Sequence, residues 1–273
     1  MPELPEVETV TRGLKKHLLN NEIVEFTLFR NKLRNYIPKE INQLKNEKIH
    51  KIYRRAKYII IETGSSYLII HLGMTGKFLI KDYLYEPGKH DHYIIKLANN
   101  LQAIYNDVRR FGVLEYLAKE NNLDQQPLLA KLGCEPLSTD FTLELLSNLC
   151  QKSKKNIKSF LLDPQHIVGI GNIYAAEALF QAKISPTRAA SSLTKKELKL
   201  LYKAIPEILN KAIDAGGSTL KDFSDSNGAS GYFQHNFQVY GREKENCFTC
   251  NNKILRIVQQ QRSTFYCPTC QST

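Results

Sequence analysis

The chain has 273 residues, long enough for two domains that each bury a core, and its 38 lysines and arginines exceed its 27 acidic residues to give a net charge of +11. Glu3, Glu6, Glu8, Arg12, Lys15 and Lys16 interrupt any secretory apolar segment, and no apolar run reaches membrane-spanning length, so a cytoplasmic protein with no membrane partner is expected. The positive surplus attracts polyanions, with nucleic acid the leading partner and a merely basic globular protein the alternative.

The chain opens Met1-Pro2-Glu3-Leu4-Pro5-Glu6. Loss of Met1 would leave Pro2 as a secondary amine with a pKa near ~8, nucleophilic near neutrality. Its adduct with a sugar carbon is an iminium ion that keeps its charge, and Glu3 lies next to it as a proton donor or acceptor. The structural alternative is ordinary helix-start chemistry, with proline at the first helical position and Glu3, Glu6 and Glu8 in the opening turns. Val7, Val10, Leu14 and Leu18 continue that helix at helical spacing.

Residues 22–117 read mainly as strands, with alternating or β-branched runs at 23–29, 58–62, 67–72, 93–97, 101–105 and 113–117. Pro87-Gly88 and Asn99-Asn100 mark turns, and the spacing suits an antiparallel sandwich or barrel-like domain over 1–120. Two turns hold unusual residues: Met74 between Gly73 and Gly76, and Arg109 and Phe111 at a bend. Apolar wedges and an arginine on loops suit entry into a base stack, although each taken singly suits packing. His90-Asp91-His92 places two imidazoles on one strand face but lacks a third metal ligand. Lys57, after Arg54-Arg55-Ala56, is a cation entering a strand, with a solvated face as the alternative.

Residues 121–137 read as a linker, and helices follow at 139–152, 154–162, 172–183 and 194–215, with Pro206 expected to kink or break the last. Gly169-Ile170-Gly171-Asn172 precedes an alanine-rich helix, with Asn172 the predicted N-cap. It lacks a dinucleotide fingerprint and fits a helix–turn–helix holding a DNA phosphate, with an ordinary interhelical turn as the alternative. The Gly- and Ser-rich stretch 216–236 is long enough to imply a functional or disordered loop within a domain over 138–236. The last segment, 237–273, carries Cys247-x2-Cys250-x16-Cys267-x2-Cys270. Two C-x-x-C knuckles supply four thiolates, which predicts one structural Zn2+, with a rubredoxin-like iron site as the alternative. Lys253, Arg256 and Arg262 lie between the knuckles with no acidic residue, so phosphate contact is expected there.

Together these segments resemble the formamidopyrimidine-DNA glycosylase family of bacterial repair enzymes. The resemblance rests on Pro2–Glu8, His71–Gly76, Lys89–His92, Asp107–Gly112, Gly169–Tyr174, Gly217–Leu220, Tyr240–Arg242 and Arg262–Cys267. Leu4 favours this branch over endonuclease VIII relatives, which usually have glycine there. The resemblance implies an α+β multidomain fold: a β-sandwich with flanking helices, then a helix–two-turns–helix domain with a zinc ribbon. It implies a monomer that binds damaged double-stranded DNA between its domains and excises oxidised purines, 8-oxoguanine and formamidopyrimidines, cutting the strand by β,δ-elimination.

By the same resemblance Pro2 attacks C1′, Glu3 protonates the sugar, Lys57 assists the first elimination and Arg262 the second. His71, Asn172 and Lys154 grip the backbone, with His90 a further DNA contact. Met74, Arg109 and Phe111 fill the vacated stack, Arg109 facing the orphan cytosine, while the loop after Gly216 covers the flipped base. Val108 departs from the proline usual before the wedge arginine, which puts opposite-base preference in question. Competing readings are an endonuclease VIII-like enzyme for oxidised pyrimidines, a non-catalytic damaged-DNA-binding protein, and a zinc-ribbon transcription or translation factor.

Overall fold

The computed structural model describes residues 1–218 and 233–271, so most of the loop predicted at 216–236 lies outside the described residues. The chain divides into two compact units, Met1–Ala130 with Ala215–Gln234, and Lys131–Asp214 with His235–Thr273.

The first unit begins with helix α1 (Leu4–Leu18), whose N-cap is Glu3. Pro2 therefore precedes the helix, and Pro5 is the proline of the first turn; this corrects the helix-start reading of Pro2. The Glu3 N–H donates to Glu6 Oε2 at 2.9 Å, satisfying a donor that the helix cannot pair internally. Lys15 and Lys16 place positive charge in the last turn, against the negative end of the dipole. Leu4, Val10, Leu14 and Leu18 are fully buried, each worth about 1.5–3 kcal/mol in transfer from water.

Eight strands follow: β1 (Ile23–Leu28), β2 (Lys51–Arg55), β3 (Tyr58–Glu62), β4 (Ser66–His71), β5 (Lys77–Asp82), β6 (Asp91–Leu97), β7 (Leu101–Asn106) and β8 (Val113–Ala118). They form two four-stranded antiparallel sheets, in the orders β1-β6-β7-β5 and β2-β3-β4-β8. One apolar cluster joins the inner face of α1 to residues of both sheets, including Ile59, Ile61, Leu68, Phe78, Tyr93 and Tyr105. The strand register shifts between Asp91 and Tyr93, a bulge that places His92 off the alternating pattern.

The second unit holds helices α2 (Leu143–Gln151), α3 (Ile157–Leu161), α4 (Asn172–Gln181) and α5 (Lys195–Asp214), and a hairpin of β9 (Leu255–Gln259) with β10 (Arg262–Tyr266). Thr142 and Asn156 cap α2 and α3 through their side chains, each accepting from the backbone three residues on. At the start of α5 the Thr194 N–H and the Glu197 carboxylate, and the Glu197 N–H and Thr194 hydroxyl, bond reciprocally. Pro206 lies inside α5, which runs through it as one helix. Of the kink or break expected there, the break does not form. A proline costs a helix about 3 kcal/mol, and the buried row Leu198, Leu201, Ile205, Ile208, Leu209 and Ala212 outweighs that. The core of α4 packs with Val239, Ile254 and the cysteines into a second cluster. No described helix is long and apolar enough to cross a membrane.

Candidate functional site

In the first unit the buried N-terminal residues sit beside a second buried carboxylate. Pro2 and Glu3 are buried, while Met1 is 47% exposed. Glu6 Oε1 accepts from both the backbone N–H and the hydroxyl of Ser218, each at 2.8 Å. Gly217, at φ +80°, brings the backbone close to Glu6, where a Cβ would stand 3.2 Å from Glu6 Cγ. The Glu6 carboxylate thus ties the start of α1 to Ser218. From sequence Glu6 reads only as a first-turn acid; its long-range partner leaves no local signal.

Lys57 follows Ala56, whose φ of +53° makes the tight turn between β2 and β3. Tyr58 pairs with His71 across β3 and β4, and the two rings meet edge to face at 5.0 Å. His71 Nδ1 accepts from the Gly73 N–H at 2.9 Å, which fixes the proton on Nε2 and leaves that atom as a neutral donor. Burial, followed by the charges of Lys57 and Arg34, brings the His71 pKa down to about 4. The structure therefore brings Lys57 and His71 together, and adds Arg34, which sequence reasoning did not single out. Arg34 is anchored by its own N–H to the Gly112 carbonyl.

The two wedge turns also meet. Met74 is half-buried, and Phe111, 43% exposed, lies under the Arg109 guanidinium at 4.7 Å from its ring centre. Val108, at the position noted above, is 58% exposed and makes no core contribution. His90 is half-buried, with its carbonyl accepting from the Asp107 N–H. His92 is buried at the bulge, bonded through Nε2 to the Asp107 carbonyl. Among the described residues these histidines join no metal-ligating group.

In the second unit Asn172 is the first residue of α4 and Gly171 is the N-cap, which corrects the capping assignment. Freed from capping, the Asn172 amide donates to the Ser263 carbonyl at 2.9 Å. Lys158, only 1% exposed, donates to the same carbonyl at 2.9 Å and to Thr264 Oγ1 at 2.7 Å. Two donors from the helix–two-turns–helix segment thus hold the residue after Arg262, whose own side chain is exposed at the start of β10. Lys154 is exposed on the segment between α2 and α3. Glu177 is buried in α4 and accepts from the Gln238, Val239 and Tyr240 N–H groups at 2.8–3.0 Å. Burial raises its pKa, with the three N–H groups and Arg242 opposing. An acid within the otherwise apolar run Ala175–Leu179 was a legible signal; Lys158 gave none.

The four cysteines Cys247, Cys250, Cys267 and Cys270 bring their sulfurs within 4.8 Å of one another. A tetrahedron of sulfurs at ~2.3 Å from zinc has edges of about 3.8 Å, and the Cys247–Cys270 and Cys250–Cys267 separations are 3.9 and 3.4 Å. The Thr249 and Cys270 N–H groups point at Cys247 and Cys267 Sγ, each at 3.4 Å, as donors to thiolates do. The donor set fits one structural zinc with no open position for chemistry.

The order of these parts is that of a known family. Residues 1–114 match the formamidopyrimidine-DNA glycosylase N-terminal domain, 132–224 its H2TH domain, and 245–273 the zinc finger found in FPG and IleRS. The chain belongs to the formamidopyrimidine-DNA glycosylase family. It is 45% identical to the formamidopyrimidine-DNA glycosylase of Rickettsia felis, covering 99% of this chain and 98% of that one. It is also 45% identical to the Shigella dysenteriae protein of the same name, covering 99% of this chain and 100% of that one. Among solved structures, that of a Lactococcus lactis FPG mutant in complex with Fapy-dG-containing DNA matches with a TM-score of 0.90 and 37% identity over 100% of both chains. The MutM (FPG) protein of Thermus thermophilus matches at 0.88 and 37%, covering 99% of this chain and 98% of that one. The chain is accordingly a DNA-repair glycosylase of the α+β class with a zinc-finger region.

Proposed function

We propose that this enzyme removes oxidised purines, 8-oxoguanine and ring-opened formamidopyrimidines, from duplex DNA and then cuts the strand through a Schiff base on Pro2. The observation that carries the reading is the buried Pro2-Glu3 pair at a capped helix start, in the unit that also gathers Lys57 and His71. The exposed Met1 is accessible for removal, and only then is the proline nitrogen an amine rather than an amide.

In this mechanism the Pro2 nitrogen bonds to C1′ as the bond from C1′ to the base breaks, and the base leaves with the proton that the proline nitrogen gives up. Glu3 donates a proton to the sugar ring oxygen, the ring opens, and the nitrogen becomes an iminium. The iminium draws electrons from the C2′–H bond, so a base removes that proton and the 3′ phosphate departs. A second elimination expels the 5′ phosphate. Lys57 assists the first elimination and Arg262 the second, both by holding phosphate. His71 Nε2–H, Asn172 and Lys154 donate to the backbone, with His90 a further contact. Met74, Arg109 and Phe111 enter the stack, with Arg109 donating to the cytosine left unpaired. Zinc keeps the β9–β10 hairpin folded and takes no part in bond breaking.

Borohydride trapping tests this on the mature protein. Wild type is expected to form a reduced covalent adduct with an 8-oxoguanine duplex, and Pro2→Gly to lose most of it. Undiminished trapping by the variant overturns the Pro2 mechanism. Faster cutting of a thymine glycol duplex than of 8-oxoguanine would instead assign the enzyme to oxidised pyrimidines.

A further inference from the structure

Asp107 is fully buried, and every polar atom it has is engaged. Its carboxylate receives the Thr75 hydroxyl at 2.5 Å and the Arg109 N–H at 3.2 Å on Oδ1, and the Gly112 N–H at 2.9 Å and the Tyr105 hydroxyl at 3.4 Å on Oδ2. Its own N–H donates to the His90 carbonyl, and its carbonyl bonds to His92 Nε2 at 2.7 Å. The Thr75 oxygen in turn accepts from the Arg109 N–H at 3.1 Å. One hydroxyl from the Met74 turn is therefore inserted between the carboxylate and the backbone of the Arg109–Phe111 turn.

Steric fit closes the same joint. Gly73 has φ +68°, and a Cβ there would stand 2.5 Å from the Phe111 carbonyl carbon; one on Gly112 would stand 1.8 Å from the Tyr105 hydroxyl. The two turns are packed backbone to backbone. An unpaired buried carboxylate is strongly unfavourable, so this network is complete or the turns separate.

We propose that Asp107 and Thr75 are positioning residues that lock the Met74 turn to the Arg109–Phe111 turn, so that wedge insertion and opposite-base reading operate as one rigid part. This rests on the reading that these turns enter the DNA stack. Arg109 stacked over Phe111 is then aimed by a fixed backbone. Its selectivity for the orphan base comes from that fixed aim, because a loosely held guanidinium can reach either a cytosine or an adenine.

The test is equilibrium binding of the full-length mature protein to duplexes bearing a tetrahydrofuran abasic analogue opposite cytosine or adenine, which needs no catalysis. Wild type is expected to prefer cytosine. Thr75→Ala removes the bridge while Asp107 Oδ1 keeps the Arg109 N–H, and should shrink the cytosine-to-adenine affinity ratio about tenfold, beyond any loss of stability that weakens both affinities equally. Thr75→Ser, which keeps the hydroxyl, should restore the ratio; a purely structural role would move both affinities together and leave the ratio alone. An unchanged ratio in Thr75→Ala, or a wild type with no preference, overturns the proposal. Failure of the Pro2 mechanism would show separately, as an absence of trapping in a protein whose binding ratio still depends on Thr75.

Discussion

Burial and the neighbouring charges of Lys57 and Arg34 hold the His71 ring neutral down to about pH 4. A neutral histidine works as a directional donor rather than a charge, and the Gly73 N–H on Nδ1 supplies the direction. The folded pKa lies below the unfolded value of about 6.5, so between the two the unfolded chain binds more protons. Stability from this residue is therefore fully present above about pH 6.5 and is lost as pH falls toward 4. His71→Asn keeps an acceptor for Gly73 but cannot titrate. Denaturant unfolding across pH 7 to 4 should fall more steeply for wild type than for the variant, and parallel curves would remove His71 as the cause. The sequence marked His71 as a backbone contact, but its protonation state follows from three groups spread over nearly forty residues and could not be read from the chain.

At the scale of elements, strands β1, β3, β4, β6, β7 and β8 and all four helices of the second unit were legible because their apolar patterns are strong. Strands β2 and β5 were not singled out; both are sheet edges, as β1 and β8 also are, and what sets the two apart is their charge. Lys51, Arg54 and Arg55 in one and Lys77, Lys81 and Asp82 in the other supply charges that blunt an edge, and the same charges hide the strand pattern. The C-x-x-C pairs made the ribbon evident, yet what seats it is a buried lysine in α3. Replacing Lys158 with methionine fills the same space but deletes both bonds to Ser263 and Thr264, leaving the Ser263 carbonyl to Asn172 alone. If Arg262 serves the second elimination, that step should slow about tenfold while the first changes little, so the β-elimination product accumulates on a sequencing gel. Zinc content should stay at one per chain. Equal slowing of both steps would show that Lys158 supports folding rather than the placement of Arg262.

At the scale of the whole molecule, two apolar clusters among the described residues have different requirements. The first unit buries a cluster running from Val7 to Leu114 that contains no metal ligand. In the second, Cys247 and Cys267 are themselves core residues, packed with Ala176, Phe180, Val239 and Ile254. Here four thiolates substitute for apolar area, as small domains require, and removing the metal leaves their mutual repulsion uncompensated. Three basic residues between the cysteine pairs, Lys253, Arg256 and Arg262, depend on that fold for their placement, whereas Lys57 and His71 do not. A strong chelator should therefore act on the two units unequally. Zinc release should abolish specific binding to abasic-analogue duplexes, while tyrosine signals of the stacked Tyr93–Tyr105 pair, whose rings lie 4.8 Å apart, stay native until the first unit melts. Added zinc should restore binding without a refolding step in that unit. Simultaneous loss of both signals at the same chelator concentration would mean that the two cores fold as one, and that the metal sustains the sandwich as well as the ribbon.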